Sequence, residues 1–429
     1  MPIYIGYANI NLLKTTYNFK DETIELYNKA MNDVVENFKT YDQIREFNQL
    51  KVLKAFQNNR VSDSHFTNST GYGYGDVGRD TLDLVYADIF KCEKALVRPH
   101  FVSGTHAIGA ALFGNLRPGD TLLAATGSPY DTLHTLIGIN KNERVGSLKE
   151  YGVNYKQVDL VNYKIDIESV KKVLAEDKTI KVVHMQRSTG YGWRNAFLIE
   201  ELEEAIREFK SVNPDIVVFV DNCYGEFIDI KEPTEVGADL MAGSLIKNIG
   251  GGIAQTGGYI VGKEEYVDQA AYRLTTPGIG AECGATFNVM REFYQGLFLA
   301  PHIAMEAVKG AVLCARIMEL AGYEVLPKYN DRRSDIIQAI KFNDKEKLIK
   351  FCKGIQKGSP IDSFVECEPW AMPGYDDEVI MAAGAFIQGS SIELSADAPI
   401  REPYIAYLQG GLTFDHAKTG ILIALNNII

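Results

Sequence analysis

Apolar positions in the first fifty residues fall at helical spacing among many charges, in IELYNKAMNDVVENF and again in QIREFNQLKVLKAF. That pattern predicts amphipathic helices ahead of the main domain. From about residue 80 the period changes. Short apolar runs, ALVRPHF (95–101), TLLAAT (121–126), KVVHMQ (181–186) and IVVFVDN (216–222), alternate with helical segments such as IEELEEAIREFK. Continuous apolar strands separated by helices predict an α/β fold, with a mostly parallel sheet covered on both faces. Past about residue 300 the chain turns helical again (IAMEAVKGAVLCARIMELAG) and ends in strand-like, glycine-rich sequence, which predicts a smaller α+β domain. The pattern places an N-terminal helical segment at 1–55, a large domain at 56–295 and a small domain at 296–429.

In such sheets ligands gather at the carboxyl ends of strands. Ser103 to His106, Gln186 to Ser188, and Asp221 all follow apolar runs. After VVFV the Asp221 carboxylate would be largely buried and in need of a partner, either a pyridinium nitrogen or the backbone of the next turn. Lys247 lies in GADLMAGSLIKNIGGGIAQTGGYIVG and is the only charged residue between Asp239 and Lys263. Its small and apolar neighbours predict a desolvated amine with a lowered pKa; the plainer reading is a solvated loop lysine. A strand-end Asp followed by a Lys in a Ser/Gly-rich segment is what a pyridoxal 5'-phosphate enzyme needs. The amine condenses with the cofactor aldehyde, and the carboxylate keeps the pyridine nitrogen protonated so that the ring absorbs electrons.

SGTHAIGAALFG (103–114) places Gly104, Thr105 and His106 where a strand gives way to a helix, an anion site or an ordinary strand-helix turn. Ser244, before Lys247, would reach the same phosphate if the turn is tight. YGYGDVGRDTLDLVYADIF begins with Tyr72, Tyr74 and Arg79, either a cofactor loop or tyrosines that simply pack. HMQRSTGYGW (184–193) brings Arg187, Ser188 and Tyr191 to another strand end, either with Ser188 placed near the cofactor ring oxygen or as an ordinary polar loop. His106 and His134 lack metal-ligand spacing to other donors and read as helix histidines with local partners; alternatively one of them, or Tyr130, would stack on the ring. Arg401, in DAPIREPY, would clamp a substrate carboxylate bidentately or pair with Glu402 or Asp397 at the surface.

A net charge of −12 leaves no basic surplus to meet phosphates, so neither a nucleic acid nor an anionic membrane is expected as a partner. The six scattered cysteines suit reduced thiols, and MPIYIGYANINLLK lacks the basic-then-apolar pattern of a signal peptide. A cytoplasmic protein is expected.

The order of these motifs resembles the fold-type I pyridoxal-phosphate enzymes, and among them the cystathionine and methionine lyases. QRS-x-GY, DNCYGEF, GSLIKN-GGG-A-TGGYI-G and LQGGLT are similar to a methionine gamma-lyase-like, or aluminium-resistance, branch over about residues 55–425. The resemblance implies a seven-stranded-type sheet in the large domain. It makes Lys247 the Schiff-base lysine and proton carrier and Asp221 the partner of the pyridine nitrogen. Gly104, Thr105 and Ser244 would bind phosphate, and Tyr74, with Tyr72, would enter a neighbouring subunit's phosphate site in a dimer or tetramer. Arg401 falls near the group's carboxylate-binding arginine. Three departures stand out. Ile246 precedes Lys247 where the group has Ser or Thr, GSPYDT does not align with the group's YGGT, and YGYGDVGR replaces a Tyr-x-Arg clamp.

The expected activity is elimination at a sulfur-bearing amino-acid side chain. Its rivals are other chemistry on the same scaffold (aminotransferase, aldolase or racemase) and a non-catalytic, cofactor-binding regulatory protein.

Overall fold

The structure, a computed structural model, describes residues 10–139 and 144–429. It divides into two compact units, one of residues 44–302 and one that joins the described residues up to 43 with residues 303–429. Helices α1 (Ile10–Tyr17) and α2 (Asp21–Asn58) come first. The unit boundary falls inside α2, whereas the apolar pattern had set residues 1–55 apart. Hydrogen bonding gives the reason: buried Asn48 donates to the carbonyls of Phe227 (3.2 Å) and Asp229 (3.0 Å), which ties the second half of α2 to the larger unit.

The larger unit runs α3 (Val77–Ile89), β1 (Lys94–Arg98), α4 (Gly104–Asn115), β2 (Thr121–Ala124), α5 (Asp131–Ile137), β3 (Asn154–Gln157) and α6 (Ile167–Glu176). It continues through β4 (Ile180–Gln186), α7 (Ile199–Val212), β5 (Val217–Asp221), β6 (Leu240–Ser244), β7 (Gly258–Gly262), α8 (Glu264–Leu274) and α9 (Met290–Leu320). The seven strands form one sheet in the order β1-β7-β6-β5-β4-β2-β3. Only β7 runs antiparallel to its neighbours. Gln186 stands opposite Asp221, and Asp221 opposite Ala242, so the carboxyl ends of β4, β5 and β6 lie side by side.

Why these segments become strands is plain at β5, where VVFVD is buried at every position and only β-branched or aromatic chains fill both faces. Edge strand β3 carries mostly exposed side chains and no apolar run, so the pattern did not announce it. Helix α4 is apolar all round and sits between the sheet and α8. Gly114 allows the close approach, since a Cβ there would stand 2.6 Å from the Gln269 carbonyl oxygen.

The smaller unit holds the end of α9, then β8 (Glu324–Leu326), β9 (Gln338–Lys341), α10 (Lys345–Lys357), β10 (Trp370–Ala371), β11 (Glu378–Ala382), β12 (Ser395–Pro399), β13 (Ile405–Gln409) and α11 (Phe414–Ile428). Its strands pair antiparallel in the order β10-β11-β12-β13-β9-β8. The boundary within α9 falls beside Pro301, which interrupts the helical hydrogen-bond ladder. Among the described residues α9 is the one helix long and apolar enough to cross a membrane, and most of that stretch is buried inside the protein.

Candidate active site

Three strand ends meet around Lys247. Asp221 closes β5, is buried, and accepts a hydrogen bond from the Cys223 backbone N–H (3.1 Å) through Oδ1. The chain then turns sharply, with Tyr224 and Phe227 in left-handed backbone (φ 73° and 64°). After β6, Lys247 N–H donates to the Ser244 carbonyl (3.3 Å) and Gly250 N–H to that of Lys247 (3.1 Å), so the lysine sits in a tight bend. Asn248 joins the two turns: its Nδ2 donates to the carbonyls of Tyr224 (2.9 Å) and Glu226 (3.2 Å). Lys247 Nζ lies over the Tyr224 ring, 3.8 Å from its centroid.

This environment corrects one expectation. Burial does work against the Lys247 ammonium, but the field of Cys223, Tyr224, Asp221 and Glu226 outweighs it, and the pKa is raised rather than lowered. The residues beside Lys247 in sequence are uncharged, yet ionisable groups surround it in space, and electrostatics follows space.

The expected phosphate ligands converge as well. Ser103 caps α4, accepting from His106 N–H (3.1 Å), and the first helical N–H groups, at Gly104 and Thr105, have no intrahelical acceptor. Gly104 packs against the other loops: a Cβ on it would stand 3.1 Å from Ser244 Cβ and 3.4 Å from Cys223 Sγ. Ser244 Oγ is buried and has no partner among the described residues. A buried hydroxyl lacking a partner, beside free N–H groups at a helix start, fits the phosphate of pyridoxal phosphate. Thr105 Oγ1 hydrogen-bonds Thr132 Oγ1 (2.9 Å) and so ties the start of α4 to α5. Thr132 closes the GSPYDT stretch, but the sequence reading gave it no role of its own.

Tyr130 immediately precedes α5, with its ring 5.6 Å from that of Tyr191. A Cβ on Gly190 would stand 3.4 Å from Tyr130 Cδ2 and 2.7 Å from Gln186 Nε2, so Tyr130 closes over the loop after β4. Ser188 is buried in that loop, and its carbonyl accepts from Gln186 Nε2 (3.2 Å) and from the Arg194 guanidinium. His106 instead accepts from the Val102 N–H (3.3 Å), packs edge-on to Phe101, and lines a cavity of about 320 Å³ with Phe113, Leu136 and Arg273. His134 is held by Ser128 and Pro129 (both 2.9 Å). His184, which the sequence reading did not single out, is buried behind Asp221, and burial pushes its pKa down to about 4 against the pull of that carboxylate.

Arg187 and Arg194 are buried and engaged inside the unit. Arg187 binds Asn222 Oδ1 (2.9 Å), the Gly225 carbonyl (3.0 Å) and Glu232 (3.5 Å). Arg79 is fully buried and donates to the carbonyls of Gly73 (2.8 Å) and Gly284 (3.1 Å), bracing the loop that presents Tyr72 and Tyr74. Those two rings are exposed (72% and 63%) and stack on each other at 5.5 Å. Arg401 belongs to the smaller unit, is half-exposed, and pairs with Asp377 at 2.9 Å, a partner not among those expected.

The chain matches the Methionine gamma-lyase family over residues 23–429. The protein YnbB of Bacillus subtilis (strain 168) is 53% identical, covering 92% of this chain and 94% of YnbB. The crystal structure of a carbon-sulfur lyase involved in aluminium resistance from Clostridium novyi NT superposes with TM-score 0.95 at 67% identity, covering 98% of this chain and 99% of that one. A pyridoxal-5'-phosphate dependent protein, YhfS from Escherichia coli, shares the fold alone: TM-score 0.58, 17% identity, 89% and 95% coverage.

Proposed function

The chain belongs to the methionine gamma-lyase family, whose cofactor is pyridoxal 5'-phosphate, and on that premise we propose that it breaks a carbon–sulfur bond in a sulfur-containing amino acid by elimination. When bound, the cofactor supplies an electron sink for the bond broken at the amino-acid alpha carbon. The observation that carries the reading is the convergence of Asp221, Ser244, Gly104 and Lys247 on one set of strand ends.

In this reading Ser244 Oγ and the N–H groups of Gly104 and Thr105 hold the phosphate. The Asp221 carboxyl would face the ring nitrogen. Tyr130 would cover the ring, Ser188 would approach its oxygen, and His106 would line the helix side. Lys247 would hold the cofactor, and its Nζ, once free, would take the substrate's alpha proton. With Asp221 engaged by a cation, one of the charges that stabilise the Lys247 ammonium is neutralised, and the amine moves toward the form that accepts a proton. By family resemblance alone, the substrate carboxylate is assigned to Arg401. Tyr72 and Tyr74, exposed and braced by Arg79, suit insertion into the phosphate site of a second copy, so the working unit is a dimer or a tetramer of two dimers.

The test is a borohydride reduction followed by a screen of sulfur amino acids. Purified protein should absorb near the violet edge of the visible range, reduction should fix the cofactor to the peptide containing Lys247, and turnover should release thiol and ammonia. Label on another lysine would overturn the assignment. Stoichiometric transfer of the amino group to a keto acid would make the protein an aminotransferase instead.

A further inference from the structure

A second buried carboxyl, Glu226, interacts electrostatically with Lys247, and the roles above leave it unused. It follows β5 by one turn and is wholly buried. Its Oε1 accepts from the Tyr259 hydroxyl of β7 (2.8 Å), while Oε2 has no partner among the described residues. Gly243 of β6 makes the room: a Cβ there would stand 2.7 Å from both Glu226 Oε1 and the Tyr259 hydroxyl. Through Asn248, whose amide holds the Tyr224 and Glu226 carbonyls, this turn is fixed to the residue next to Lys247.

Glu232, buried in the same region, gives the contrast. It has the Arg187 guanidinium (3.5 Å), Asn222 Nδ2 (3.1 Å) and the Phe227 N–H (2.8 Å) around it. Glu226 has one hydroxyl donor, and the cation acting on it is Lys247. The other groups facing it are uncharged or acidic: Cys223 in its own turn, Glu232, Tyr259, and Tyr86 of α3, whose ring is 5.9 Å from that of Tyr259. A buried carboxylate so thinly solvated is costly, and a proton removes the cost. Burial pushes the Glu226 pKa up to about 8, against the hydrogen bonds from its own backbone N–H and Tyr259.

We propose that Glu226, buried with one hydroxyl donor and an unpartnered Oε2 in the turn that Asn248 fixes to Lys247, is a positioning residue for Lys247 whose charge, when present, keeps the proton on the lysine nitrogen. The proposal rests on the cofactor-holding role given to Lys247 above. The sign follows from charge. As pH rises through the Glu226 pKa, a carboxylate appears beside Lys247, its ammonium is stabilised, and its capacity to take the substrate's alpha proton falls.

The test is infrared difference spectroscopy of the holoenzyme against pH, with the pH dependence of its visible absorption read in parallel. A protonated-carboxyl band should vanish with a midpoint near 8 and be missing in Glu226→Gln. In that variant the midpoint of the visible absorption should move down by about one pH unit, because the negative charge can no longer form. Tyr259→Phe keeps Glu226 but removes its donor, so the carboxyl band should persist to higher pH. An infrared band unchanged by Glu226→Gln, or an unmoved visible midpoint in that variant, overturns the proposal, as does a Tyr259→Phe band that titrates as in wild type. None of these readings needs a substrate, so a wrong substrate class leaves them standing.

Discussion

Gly104, the first residue of α4, lies against Ser244 at the end of β6, with no room between them for a full side chain. A Cβ on Gly104 would stand 3.1 Å from Ser244 Cβ, tighter than an ordinary contact. Gly104→Ala is therefore expected to push Ser244 Oγ off its position while the helix, which favours Ala, keeps its stability. Cofactor affinity should fall about tenfold, roughly the value of one hydrogen bond to a charged group. Titrating cofactor into the stripped variant, with its melting temperature followed alongside, checks this; unaltered affinity would separate Gly104 from the phosphate.

Asp221→Asn should fold normally, because the amide oxygen still accepts the Cys223 N–H that Asp221 Oδ1 holds. Turnover should fall roughly a hundredfold or more, as when a charge aimed at the reacting system is removed. The measurement is kcat at saturating cofactor and substrate. Near-wild-type kcat with cofactor bound would remove Asp221 from the ring nitrogen.

Replacing Tyr72 and Tyr74 together with Ala should leave the described fold intact, since both rings are exposed and touch chiefly each other. Cofactor should be held more weakly and the assembly loosened. Sedimentation at assay concentration reads both the oligomer and the bound chromophore. A wild-type monomer that is fully active would refute a shared site.

Arg401→Lys should raise KM about tenfold or more while leaving the absorption of the resting protein unchanged. A guanidinium grips a carboxylate with two parallel bonds whereas an ammonium keeps the charge but acts as a point charge, so the variant loses about one hydrogen bond to a charged group, roughly 1.5–3 kcal/mol. Binding of a substrate carboxylate analogue to the variant measures it. Arg187→Lys is the control, because Arg187 is consumed by Asn222, Gly225 and Glu232 and should show its effect in stability instead.

The sequence by itself determined the sheet core and the strand ends that matter. Runs such as VVFVD can be buried only on both faces, and Asp221 and Lys247 stood out as charges in apolar or small surroundings. It did not reveal β3, whose side chains are mostly exposed, nor the sharing of α2 between two units, which rests on Asn48 reaching carbonyls far along the chain. The charge state at Lys247 was decided only by tertiary structure. Its sequence neighbours are uncharged, but folding brings Cys223, Tyr224, Asp221 and Glu226 to it from another loop, and a pKa answers to whatever lies nearby in space. The same holds for the difference between Glu226 and Glu232. The two carboxyls belong to one short segment, and only the folded packing of Arg187 against one and Tyr259 against the other sets them apart.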